Sequence, residues 1–268
     1  MKKKNLAVWI MTGAMMLMIT GCGGTKTTSV DSTKNEEAKQ TITIAAAASL
    51  EQSMTKEIIP LFEKEHPDVK IEGTYDSSGK LQTQIEEGAP IDLFISAGEK
   101  QMDALVEEQL IEKDSVYDWL ENHMVLIVPV NGESKVTSFD TLLNAETIAV
   151  GDPESVPAGQ YAKEILEGLG TWEKVLGKSS LGTNVTEVLN WVAKGSAEAG
   201  IVYATDAMQT NEVKVVETAP EGKGSKAIYP VGITTAGHKK DEAKEFEEFL
   251  KTDEVLSIIE KNGFTPIK

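Results

Sequence analysis

Apolar positions along this chain follow two periods in alternation. Residues 41–47 (TITIAAA) form an apolar run of strand length. Leu50, Met54, Ile58 and Phe62 then recur every four residues, which predicts one face of a helix. Residues 49–52 have the S-x-x-Q form of a capping box at its start, and His66-Pro67-Asp68 ends it. Residues 69–75 predict a second strand. Ser77-Ser78-Gly79 opens a second helix, with Leu81 and Ile85 on one face and Gly88 at its close. Residues 91–96 (IDLFIS) predict a third strand, and Met102, Leu105, Val106 and Leu110 a third helix.

The alternation continues to the end of the chain. Residues 124–130 (MVLIVPV), 147–151, 200–203 (GIVY), 213–216 and 228–235 predict strands. Pro157 opens a helix carrying Ala162, Ile165, Leu166 and Leu169; Val185, Leu189 and Val192 mark another. Two last helices carry Phe246, Phe249 and Leu250, then Leu256 and Ile259. Strands alternating with helices predict an α/β fold with parallel sheets.

The first residues carry a different pattern. Lys2, Lys3 and Lys4 precede an apolar run over residues 6–19, too short for a membrane span of about 20 residues. The run closes on Ile19-Thr20-Gly21-Cys22, which resembles a lipobox, the site where bacterial lipoproteins are lipid-modified on Cys and cut before it. Cys22 is the only Cys of the 268 residues. Residues 1–21 are thus expected to be a lipoprotein signal peptide, and Cys22 to anchor the protein to the cell membrane without spanning it. Residues 22–40 carry Val30 as their one aliphatic side chain larger than Ala, and predict a flexible tether.

Composition removes several function classes. The 40% hydrophobic content is enough for real cores. One Cys allows no disulfide framework and no zinc site built on Cys. A net charge of -17 argues against nucleic acid as partner. Removing three lysines from 26 basic residues, against 43 acidic ones, takes that charge to -20. His66, His123 and His238 are scattered and read as packing or surface residues rather than ligands. No Gly-x-Ser-x-Gly elbow is present, and Gly177-Lys178-Ser179 lacks a P-loop's first Gly, Trp172 standing there instead. The chain is expected not to be an enzyme; a secreted hydrolase and an adhesion or scaffold module are the readings from other classes.

Four strand-to-helix junctions carry small or backbone-exposing residues: Ala48-Ser49, Ser77-Ser78-Gly79, Val156-Pro157-Ala158-Gly159 and Thr183-Asn184-Val185-Thr186. Helix N-termini present unpaired N–H groups and a partial positive charge, so four of them aimed at one point would bind an anion. Taken singly, each is equally an ordinary cap or turn.

These junctions lie in stretches that resemble the molybdate-binding proteins of bacterial ABC importers. They are AAAASL (45–50), DSSGKLQTQI (76–85), GAPIDLFISA (88–97), AVGDPESVPAGQYA (149–162), Asn184-Val185 and AGIVYATDA (199–207). The resemblance implies a two-lobed periplasmic-binding-protein-like fold of type II, with two crossovers and a ligand cleft between the lobes. Lobe one is expected over residues 41–121 and 230–268 and lobe two over 122–229, with crossings near 121–124 and 227–231. It implies Ser49 and Ser78 as hydroxyl and amide donors, with Ser77 as the alternative to Ser78, Ala158 and Val185 as main-chain donors, and Tyr203 as a hydroxyl donor. Gly79 and Thr186 depart from the family, where some relatives carry Ser and Arg. Asp92, Asp152 and Asp206 lie inside the matched stretches and are expected to be structural. The implied ligand is molybdate, and tungstate with it; the implied partner is an ABC permease; no cofactor is expected, and the chain is expected to be an extracytoplasmic monomer. A receptor for sulfate or another tetrahedral oxyanion is the alternative within the class.

Overall fold

The computed structural model describes residues 39–131, 133–222, 224 and 226–267. The signal peptide, Cys22 and nearly all of the expected tether lie outside them. Ten strands are present among the described residues: β1 (Gln40–Ala47), β2 (Val69–Asp76), β3 (Leu93–Ile95), β4 (Tyr117–Pro129), β5 (Ile148–Gly151), β6 (Ser179–Gly182), β7 (Ala199–Tyr203), β8 (Val213–Thr218), β9 (Lys226–Ile233) and β10 (Thr265–Pro266). β1 starts at Gln40, inside the stretch expected to be tether.

In space the strands run β2-β1-β3-β9-β4-β7-β5-β6, with β10 and β8 also on β4. β4 belongs to two half-sheets. Its first part pairs with β9, from Tyr117↔Val231 to His123↔Lys226. Its second part pairs with β7, from Met124↔Tyr203, and with β8, from Val125↔Thr218. β4 thus changes partners between His123 and Met124, from β9 to β7 and β8. Residues 227–231 of β9 pair with the first part of β4.

The expected parallel sheets form only in part. β1 lies parallel to β2 and β3, and β5 to β6 and β7. β9 runs antiparallel to both β3 and β4, so the middle of each lobe is mixed. β1 is buried on both faces, as a central parallel strand must be. Ile42, Ile44 and Ala46 point into the main core, while Ala45 joins Leu81, Phe94, Met102 and Leu105 on the opposite face. The helices Ser78–Glu86 and Glu99–Glu107 cover that second face.

The helical stretch after β1 explains its four-residue period. Four α-helical residues overshoot a full turn by about 40°, so a strict period of four drifts off one face. Met54–Ile58 is a π-turn, in which the Ile59 N–H reaches the Met54 carbonyl five residues back. The wider turn undoes the drift, and Leu50, Met54, Ile58 and Phe62 are all fully buried. Pro60 supplies the cause: it has no N–H to donate, and its ring crowds the carbonyl four residues back. Phe62 then packs edge-on against Phe246 and Phe249 of the closing helix Asp241–Phe249.

Two close approaches set the positions of helix ends. Gly159 sits so near the Gly151 carbonyl that a Cβ would not fit, which seats the helix Pro157–Gly168 directly on β5. The helix Val185–Ala193 is started by Asn184, whose side chain accepts from the Glu187 N–H.

Candidate functional site

A cavity of about 10 Å³, close to the room for one water, lies between the lobes. Ala47, Ala48, Ser49, Asp76, Ser77, Ser78 and Ala97 line it from the first lobe; Val156, Pro157, Ala158, Val185 and Tyr203 line it from the second. The structure thus brings Ser49, Ser78, Ala158, Val185 and Tyr203 to one point. Thr186 is not in the lining.

The four junctions read from the sequence converge here. Ser78 and Val185 are the first residues of their helices, and Ala158 follows Pro157 at the start of a third. Their N–H groups have no carbonyl one turn back to receive them. Ser49 lies in a 3-10 turn, Ala48–Leu50, entered directly from β1. The expected capping box does not form: no side chain caps that turn, and the Ser49 Oγ lies 2.9 Å from the Tyr229 Oη instead. Burial in a packed cleft outweighs the local capping preference.

The hydroxyls are arranged as donors. The Ser78 Oγ accepts the Ala97 N–H at 2.9 Å, which leaves its own hydrogen free for the cavity. The Ser77 Oγ is buried and has no hydrogen-bond partner. Tyr203 is fully buried; its Oη lies 3.4 Å from the Ala97 carbonyl and also meets the Tyr229 hydroxyl. Burial pushes its phenol well above its ordinary pKa, so it keeps its proton.

Sequence reading missed Asp76, a carboxylate in the lining. The D-S-S-G stretch places it beside Ser77, but sequence gives no direction for its side chain. Its Oδ1 accepts from the Ser77 N–H at 2.8 Å, Lys80 Nζ at 3.1 Å and Asn184 Nδ2 at 3.1 Å. Lys80 also lies 3.2 Å from Oδ2. The charge is therefore balanced locally, and the Asn184 bond ties the two lobes together. A second tie is the Gly79 N–H to the Ser155 carbonyl at 3.0 Å. A Cβ on Gly79 would run into that carbonyl, so this departure from the family pattern allows the closest approach of the lobes.

The three other aspartates differ from one another. Asp92 accepts from the Thr43 N–H at 2.8 Å and pairs with Lys240 at 2.7 Å, clamping β1 to a later loop. Asp152 accepts the Glu154 N–H at 3.0 Å in a turn. Asp206 is 1% exposed and finds no good partner for either oxygen. Burial pushes its pKa up to about 7, against the weaker pull of the nearby Tyr203 main chain. Among the histidines, His66 stacks on Phe62 at 4.2 Å, and His123 lies 3.5 Å from Glu121.

A family model described as bacterial extracellular solute-binding protein matches residues 42–265. The putative ABC transporter substrate-binding lipoprotein YvgL of Bacillus subtilis strain 168 is 42% identical over 262 residues, covering 98% of each chain. The molybdate-binding protein ModA of Escherichia coli strain K12 is 40% identical over 230 residues, covering 84% of this chain and 88% of that protein. Among solved structures, the substrate binding domain of a putative molybdenum ABC transporter from Clostridium difficile is 41% identical with a TM-score of 0.66, covering 86% of this chain and all of that one.

Asp206 gives a pH prediction. Its folded pKa of about 7 lies above the ordinary 3.8, so folding favours the neutral form. Stability is complete below about pH 4 and is lost as pH rises through about 7. The displacement corresponds to on the order of 4 kcal/mol. Asp206→Asn should therefore unfold at higher urea than the natural protein at pH 8, and at nearly the same urea at pH 4. An unchanged midpoint at pH 8 would contradict this account.

Proposed function

Since the chain belongs to the bacterial extracellular solute-binding protein family, a family of non-enzymatic receptors for ABC transporters, we propose that it captures molybdate, and tungstate with it, between its lobes and delivers it to an ABC permease. The observation that carries the reading is the convergence of Ser49, Ser78, Ala158, Val185 and Tyr203 on one cavity. The relatives named for molybdate support the choice of anion.

The chemistry of the lining supports a fully deprotonated tetrahedral anion. Main-chain N–H groups only donate, and the Ser78 hydroxyl already accepts one hydrogen bond, from the Ala97 N–H. Phosphate near neutral pH carries a proton that needs an acceptor. Asp76 is the one carboxylate in the lining, and three donors occupy its Oδ1. A buried, unpaired O–H costs about 1–3 kcal/mol. Sulfate carries the right charge but is smaller, so a ring of donors sized for molybdate leaves its oxygens short of some partners.

Net charge bears on how binding works. A body at -17 before processing repels a dianion at long range, although salt screens this beyond about 8 Å. Affinity then comes from short, preorganised donors in a dry cleft. We place lobe two between the passages at 123–124 and 219–225, so that donors from both lobes close on the anion by a hinge at β4. We further propose that Cys22 carries a lipid and that residues 23–39 tether the body outside the cell membrane.

A thermal-shift and calorimetry series over molybdate, tungstate, sulfate and phosphate tests the ligand. Molybdate and tungstate should bind tightly, and sulfate and phosphate more weakly by orders of magnitude; equal affinity for sulfate moves the protein to the general oxyanion class. Ser49→Ala and Ser78→Ala should each lose about 1.5–3 kcal/mol of molybdate binding by calorimetry on the folded variants. If Ser77→Ala is the variant that loses affinity and Ser78→Ala is not, the ligand hydroxyl is that of Ser77. Gly79→Ala should weaken molybdate binding by holding the lobes apart, while leaving the unliganded melting temperature in place; wild-type affinity in this variant contradicts the close approach at Ser155. Cys22→Ala should move the protein from the membrane fraction to the soluble one, and retention in the membrane refutes the anchor.

A further inference from the structure

We propose that Tyr229, held by Asn122, is a positioning residue that fixes Ser49 as a hydrogen-bond donor, and that rejection of oxyanions carrying a proton depends on it. This rests on the oxyanion reading above and adds a residue outside the cavity lining. Ser49 and Tyr229 face each other through their hydroxyls at 2.9 Å, and distance alone leaves open which one donates. Asn122 favours one order. Its Oδ1 accepts the His123 N–H at 2.8 Å, so its amide nitrogen faces the Thr205 Oγ1 at 2.8 Å and the Tyr229 Oη at 3.4 Å. An amide NH₂ only donates, so the Tyr229 oxygen accepts there. In the proposed order the single phenolic hydrogen of Tyr229 goes to the Ser49 Oγ, and the Ser49 hydrogen is turned toward the cavity.

Tyr229, Asn122, Thr205 and Ser49 are 0%, 1%, 2% and 3% exposed, so the chain of bonds is buried where the lobes meet. Burial also pushes the Tyr229 phenol well above its ordinary pKa, which keeps its hydrogen in place. Thr205 belongs to the second lobe and Asn122 to the strand that crosses between lobes, so the order is set where the lobes meet. Without the Tyr229 hydroxyl, Ser49 is free to rotate and to accept. A protonated oxyanion then regains a partner for its O–H, and a fully deprotonated one loses a fixed donor.

Tyr229→Phe keeps the ring that packs 5.7 Å from Tyr203 and 5.4 Å from Phe264 and removes only the hydroxyl. Calorimetry at one pH, with molybdate and with inorganic phosphate, reads the effect. Molybdate affinity should fall about tenfold while phosphate affinity holds or rises, so that the ratio of the two drops by about tenfold or more. Asn122→Leu should shift the ratio in the same direction by less, and provides the test should Tyr229→Phe fail to fold. A purely structural role lowers both affinities by the same factor; that result, or no change in either, overturns the proposal. A natural protein that binds no molybdate overturns the oxyanion reading itself, whereas one that binds it with an unaltered ratio in the variants overturns the positioning role alone.

Discussion

Main-chain N–H groups reach a common point only where the backbones that carry them come almost into contact. Here seven of the twelve lining residues are Ala47, Ala48, Ala97, Ala158, Ser49, Ser77 and Ser78, whose small side chains leave the backbone exposed. Gly159 lets one helix sit on β5, and Gly79 lets the first lobe touch the Ser155 carbonyl of the second. Each of these contacts has no room for a Cβ. The cavity of about 10 Å³ is the product of that crowding, and the donor geometry follows from it.

Electrostatics takes its form from the same crowding. The chain is strongly acidic, and Lys80 lies against Asp76 rather than in the cavity lining. In the proposed reading, attraction for an anion comes from helix N-termini and from buried hydroxyls. Such donors work because they are buried: water would offer each of them an alternative. The same burial raises the pKa of Asp206 to about 7, a cost to the fold that has no compensating partner among the described residues.

β4 links this chemistry to motion. One strand supplies the edge for β9 in the first lobe and for β7 and β8 in the second. Its residues at the passage, Asn122 and His123, lie beside the bonds that reach Thr205 and Tyr229. Under the proposed closing of the lobes on an anion, that strand is the hinge.

The sequence by itself determined most of the element order and marked the helix starts that line the cavity. A continuous apolar run located β1, which is buried on both faces, and a period of four located the helical stretch after it, which buries one face. The four helix-start junctions were legible because small polar residues and Pro at those positions are local signals. Other features were not local. The first half of β4, residues 117–123, reads as mixed polar and apolar because it is a strand with neighbours on both sides near solvent and hinge. β6 and β10 are too short to carry a period, and the antiparallel course of β9 depends on which edges were left open. The capping pattern at Ser49 gave way to Tyr229, 180 residues away in sequence. Convergence of the junctions, the inward place of Asp76 and the direction of each hydroxyl hydrogen were decided only in the folded chain. The physical reason is that these are properties of residues distant in sequence meeting where water is excluded, and no window along the chain contains both partners.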